Sequence, residues 1–177
     1  VNGQTLGEPA GVNLVPNFDL SDGWDAGGAI ITPNNVAGPT GKTDAATVEL
    51  TDTSQFVYDV CTVTASTLYT ASWYGKPGTS TAWVYAFYDD TANAWIDRIE
   101  YTLTDAVLGS NGWYRFSVQV TTPIGCTSMR VYPQRGQADT GVIADAIGTT
   151  DFWGVQLEAY HVATSVIPTY GASEARA

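Results

Sequence analysis

Trp83-Val84-Tyr85-Ala86-Phe87-Tyr88 decides the fold: five of these six residues are aromatic or β-branched, and no three- or four-residue apolar spacing runs through them. As a strand, the segment places Trp83, Tyr85 and Phe87 on one face and Val84, Ala86 and Tyr88 on the other. Outward from it, the same enrichment recurs in short runs separated by turn-forming residues. The strands expected are Ala46–Leu50, Phe56–Val63, Leu68–Gly75, Ala82–Tyr88, Trp95–Leu103, Tyr114–Thr121, Ser128–Tyr132 and Phe152–Glu158. Lys76-Pro77-Gly78, Asp89-Asp90-Thr91, Ser110-Asn111-Gly112 and Pro123-Ile124-Gly125 supply the breaks. The most helix-compatible piece, Thr104 to Leu108, is too short for more than one turn. Eight such strands predict an all-β fold, an antiparallel β-sandwich of the jelly-roll kind.

The first 45 residues differ, with Gly, Pro, Asn and Asp punctuating short apolar pieces around Phe18, Trp24, Ile30 and Ile31; loops and one edge strand are expected there. A chain of 177 residues suits one domain. The boundaries expected are a linker or arm over 1–12, the sandwich over 13–171 and a short tail over 172–177.

Charge narrows the partners. Eighteen acidic against seven basic residues give a net charge of -11, and the seven cations are scattered with no basic stripe, which argues against nucleic acid and anionic membranes. A strongly acidic glycan would need local compensation. No run approaches the roughly 18 apolar residues of a membrane span, so a soluble chain is expected. Cys61 and Cys126 are read as a disulfide, as two buried thiols or, last in order, as half a metal site.

Catalytic signatures are scarce. The sole histidine, His161, follows the last expected strand without a nucleophile motif, and there is no phosphate loop or Cys-x-x-Cys. Asp97 and Glu100, three apart on one strand, fall on opposite faces, a poor start for a carboxylate pair. A non-catalytic protein is expected.

The aromatic residues carry more information, because flat rings match the C–H faces of sugars while their polar edges meet hydroxyls. Both faces of the Trp83–Tyr88 strand carry rings. One reading packs Val84 and Ala86 inward and turns Trp83 and Tyr85 outward; the alternative fills the core with the larger rings. Tyr74 shares a face with Ser72 and Lys76, opposite Tyr69, Ala71 and Trp73. On the strand Ser128–Tyr132, Met129 and Val131 point inward while Arg130 and Tyr132 share the other face with Gln134. The ligand-binding residues expected are Trp83, Tyr85, Tyr74, Arg130 and Tyr132, the first four forming one exposed patch on a single sheet. Asp19, Asp22 and Asp25, within seven residues beside glycines, are the candidate metal ligands, and their hard oxygens suit a structural calcium.

Several strings match known modules. Asn13-Leu14-Val15-Pro16-Asn17-Phe18, followed by Asp22-Gly23-Trp24, resembles the opening of jelly-roll carbohydrate-binding modules attached to xylanases. Leu68–Lys76, Asn111-Gly112-Trp113-Tyr114-Arg115, Trp153-Gly154-Val155-Gln156-Leu157-Glu158 and Ala163–Thr169 resemble a C-terminal module of phage tail-fibre, head-fibre and other virion proteins. The chain departs from that pattern at Ser165-Val166, where related modules read Ser-Tyr, and at Ala175-Arg176, where they close on Thr-Arg.

The resemblance implies a carbohydrate-binding-module-like sandwich on a virion surface or outside the cell, with Trp113, Tyr114, Arg115, Phe152 and Trp153 as structural residues and an N-terminal calcium. The first functional expectation is a non-catalytic module binding host or environmental glycan. Two others stand beside it: a capsid or fibre decoration protein contacting neighbouring virion chains, and the targeting module of a larger glycan-degrading enzyme. Homo-oligomers are compatible with each.

Overall fold

The computed structural model describes residues 11–138, 145–169 and 174–175. The expected arm over 1–12 and tail over 172–177 therefore lie mostly outside the described residues. In chain order the strands are β1 Val12–Asn13, β2 Ile30–Ala37, β3 Thr43–Leu50, β4 Phe56–Thr62, β5 Leu68–Pro77, β6 Trp83–Asp89, β7 Ala94–Tyr101, β8 Val107–Leu108, β9 Tyr114–Thr121, β10 Ser128–Arg135, β11 Gly148–Glu158 and β12 Glu174–Ala175. A single 3₁₀ turn, Leu103–Asp105, is capped by Thr102 and stands where only one helical turn was expected. All eight expected strands form, and β2 is the edge strand anticipated in the first 45 residues.

Two antiparallel sheets make a jelly-roll sandwich: four strands in the order β4-β10-β6-β7 and six in the order β2-β3-β11-β5-β9-β8. The tight β8–β9 hairpin turns on Asn111 (φ 57°) and Gly112 (φ 77°), two left-handed positions that asparagine and glycine tolerate.

The gap between the sheets is filled by rings. Trp73 of β5 stacks face to face on Tyr85 of β6 at 4.1 Å between centroids and on Phe116 of β9 at 5.1 Å, while Trp83 leans on Phe116 at 4.9 Å. Trp83 and Tyr85 are thus fully buried core residues, which corrects the expectation that they face outward. Sheets about 10 Å apart leave a space that Val84 and Ala86 cannot span but indoles and phenols can. The small pair faces out of the sandwich and is buried all the same. Val84 packs with Ala82 and Ala146, and the Gln134 side chain extends the β10–β6 ladder, accepting from Val84 N and donating to the Ala82 carbonyl, both at 3.2 Å.

A second, smaller cluster of Phe18, Ala45, Trp113 and Trp153 lies apart from the main core, with Tyr74 and Val166 packed against it. Beside it runs the segment 159–169, held by buried polar side chains. Asn13 uses its whole amide: Nδ2 donates to the Val155 and Ile167 carbonyls, and Oδ1 accepts from Val15 N and Leu157 N. Gln156 donates to Glu158 and accepts from Ile167 N, and Glu158 in turn accepts from Thr164 N and its hydroxyl. Gly154 sits at the β11 bulge with φ 69°, and a Cβ there would come within 2.9 Å of Val166. The recurring strings around Asn13, Trp153–Glu158 and Ala163–Thr169 are therefore one hydrogen-bonded clamp.

Cys61 and Cys126 are both free and buried, which favours the reading as two thiols. Burial pushes both thiols up, Cys126 to about 11, so neither ionises at neutral pH.

Asp59 points inward from β4 between Val57 and Cys61, with Oδ2 unpartnered, and burial raises its carboxyl to about 6. A folded-state value above the unfolded one means the native protein holds the proton more tightly. Stability from this group is complete below about pH 4 and is lost as pH rises through about 6. The loss is at most about 3 kcal/mol, reduced by water reaching the edge strand. Asp59→Asn is expected to flatten that decline and to raise the melting temperature at pH 7–8, as thermal melts across pH 4–8 will show.

Candidate functional site

The outer face of the four-stranded sheet carries a continuous surface of rings. Phe56 and Tyr58 project from β4, Tyr88 from β6, Trp95 from β7 and Tyr132 from β10. Their centroids step across the sheet: Phe56–Tyr58 5.7 Å, Tyr58–Tyr132 5.0 Å, Tyr132–Trp95 5.4 Å and Trp95–Tyr88 5.0 Å. Trp95 is 41% exposed, Tyr58 and Tyr88 are half-buried, and Tyr132 forms the buried floor. A cavity of about 180 Å³ opens between Phe56, Trp95, Tyr132 and Arg135.

Three guanidinium groups lie over these rings. Arg130 sits 4.8 Å from the Tyr58 centroid and 5.3 Å from that of Tyr88, Arg135 lies 4.6 Å from Trp95, and Arg98 5.5 Å from the same indole. Asp90 pairs with Arg130 at 2.5 Å. Asp25 accepts the Tyr58 hydroxyl at 2.7 Å, a bond that raises the phenol above its ordinary range. Arg–aromatic stacking of this kind fixes long side chains and leaves guanidinium edges directed outward. The result is a pre-ordered surface of tilted rings, offering apolar faces and polar edges, the combination that suits a sugar chain.

The five expected ligand residues divide among three places. Arg130 and Tyr132 lie on this face, as expected. Trp83 and Tyr85 are in the core. Tyr74 belongs to β5 of the other sheet, on its outer side, so no single exposed patch joins it to Arg130. Phe56, Tyr58, Tyr88, Trp95, Arg98 and Arg135 were not anticipated. Tyr88 was within reach, because the alternation that turns Trp83 and Tyr85 inward turns it outward.

The three candidate calcium ligands separate. Asp19 is buried and accepts from Ser21 N, Asp22 accepts from Gly23 N, and Asp25 is drawn to the edge of β4 by its bridge to Tyr58. Left-handed turns at Leu20 (φ 58°) and Gly23 (φ 76°) redirect the backbone between them. Among the described residues no group of three or more His, Cys, Asp or Glu is disposed to hold a metal.

No family model and no curated protein matches the sequence. Solved structures do match the fold. The CBM22-1–CBM22-2 tandem domain of Paenibacillus barcinonensis Xyn10C aligns with 91% of this chain and 48% of its own length, at 15% identity and a TM-score of 0.55. The CBM22-2 xylan-binding domain of the same protein aligns over 84% of this chain and 98% of its own, at 12% identity and a TM-score of 0.53. The enzymatically active domain of tailspike protein 4 of bacteriophage CBA120 aligns over 82% of this chain at 14% identity and a TM-score of 0.52, and this chain spans 21% of that domain's length. The fold is that of a carbohydrate-binding-module-like jelly roll.

Proposed function

We propose that this chain is a non-catalytic glycan-binding module whose ligand lies along the aromatic face of the four-stranded sheet. The observation that carries this reading is the unbroken sequence of rings from Phe56 through Tyr58, Tyr132 and Trp95 to Tyr88, with guanidinium groups seated on it. Binding is favoured over catalysis because Asp25 and Asp90 on this face are engaged by Tyr58 and Arg130 and the sole histidine lies beside the other sheet. That similar folds include xylan-binding domains supports a glycan ligand. The tailspike likeness and the strings shared with virion modules support a place on a virion surface.

Affinity electrophoresis against neutral and acidic polysaccharides tests the reading. The unaltered chain should be retarded by at least one polymer. Trp95→Ala should weaken that retention at least about tenfold while moving the melting temperature by no more than about 2 °C, since the ring lies outside the core. A panel with no retardation, or retardation unchanged in both Trp95→Ala and Tyr58→Ala, overturns it.

A further inference from the structure

The outer side of the six-stranded sheet holds a larger concavity than the aromatic face. A cavity of about 500 Å³ lies over β5 and β9, banked by Val107 of β8 on one side and His161 of the 159–169 segment on the other. Past Tyr74, Gly109 and Arg115 it continues into a second of about 400 Å³. Its floor is polar: Tyr74, Arg115, Ser117 and Gln119. Volumes of this order are typical of small-ligand sites.

Its charge bears on the ligand. Among the described residues no carboxylate lines either cavity; the one permanent cation among them there is Arg115, and the one histidine of the chain stands opposite. Arg115 is pre-positioned. Its Nη2 donates to Ser72 Oγ and to the Thr164 carbonyl, and its guanidinium lies 5.4 Å from the Tyr74 ring. Those hydrogen bonds leave from Nη2 alone, so Nη1 keeps donors for a ligand. Gln119 donates to the His161 carbonyl, which fixes the facing bank and leaves its own amide oxygen as an acceptor.

We infer that this groove is a second binding site, separate from the aromatic face, for a carboxylate-bearing saccharide of the uronic acid class. The carboxylate meets the Arg115 Nη1 edge and the His161 side. The Tyr74 ring and the Val107 and Val162 side chains pack on the sugar's C–H surface, and Ser117 and Gln119 meet its hydroxyls. In a protein of net charge -11, a concavity lined by no described acid and holding a fixed guanidinium compensates locally for an anionic sugar.

The test is an NMR titration of the ¹⁵N-labelled full chain with sodium glucuronate, with glucose and sodium acetate as separate arms at constant ionic strength. Glucuronate should give saturable shifts at Arg115, Gln119 and His161 that exceed those from either control. Arg115→Gln should weaken them about tenfold or more. Because Arg115 also anchors the 159–169 segment, Ser117→Asp serves as a second variant: the exposed position keeps the fold while placing a carboxylate in the groove, and it should abolish saturation. Trp95→Ala should leave these shifts unaltered, which separates this site from the aromatic face. Shifts as large from glucose or acetate, saturation that survives Ser117→Asp, shifts confined to Trp95 and Tyr132, or none up to about 50 mM ligand would each overturn the inference.

Discussion

Trp73→Ala is expected to lower the unfolding free energy by about 3–5 kcal/mol, the range for removing a large ring from a closed core. Trp73 is the middle member of a stack that crosses the sandwich, with Tyr85 against one face at an interplanar angle of 12° and Phe116 against the other at 6°. Tyr101 adds an edge contact at 5.6 Å. Because those neighbours belong to three different strands in both sheets, no single side chain can relax into the vacancy. Urea denaturation reads the effect, with Trp95→Ala as the internal control: an indole on the outside of the same sandwich should cost less than about 1 kcal/mol. Equal losses from the two substitutions would mean that the stack does not hold the sheets together.

Glu158→Ala should be nearly as damaging, for a different reason. The Glu158 carboxylate is buried and accepts from Gln156 Nε2 at 2.8 Å, Thr164 N at 3.0 Å and Thr164 Oγ1 at 2.5 Å. Alanine leaves Thr164 N without an acceptor, at about 1–3 kcal/mol, while Gln156 Nε2 keeps the Thr164 carbonyl and Thr164 Oγ1 the Ser165 carbonyl; with the two weakened bonds the total is about 2–4 kcal/mol. The damage should also be local. The 159–169 segment is tied to the sheet through Thr164 and Ile167, so limited proteolysis should cut the variant within it before the sandwich opens. Cleavage there at the rate of the unaltered chain would show that the Asn13 and Gln156 bonds suffice.

The strands were legible because their breaks are chemical: Ser110-Asn111-Gly112 and Asp89-Asp90-Thr91 end strands where the structure ends them. What alternation could not decide is which face of a strand is covered. In β6 every residue but Tyr88 is buried, so the pattern has no exposed side from which to read direction. Strand β4 misleads in the opposite sense. Its inward face is Val57, Asp59 and Cys61 and its outward face Phe56, Tyr58 and Val60, so the buried carboxylate makes the core side look like the polar one and hides two rings of the candidate site. Arg130 and Tyr132 were legible because Met129 and Val131 between them are unambiguously apolar. Trp95 was missed because a register shift between Phe87 and Tyr88 breaks the alternation of β7 just where the indole emerges.

The pairing of β1 with β12 brings Val12 opposite Ala175 and Asn13 opposite Glu174. Paired positions in antiparallel strands lie about 5 Å apart, so the polypeptide comes in and goes out through one small doorway. That doorway is beside β11, to which Asn13 is bonded, on the six-stranded sheet and not on the four-stranded one. Held by any longer polypeptide at these two points, the sandwich hangs like a pendant, with its attachment on one side and its aromatic face turned away from the stem. Tension applied at these two points would fall on the β1–β12 pair and, through Asn13, on β11 of the six-stranded sheet, while the four-stranded sheet and its ring surface stand off the line of force.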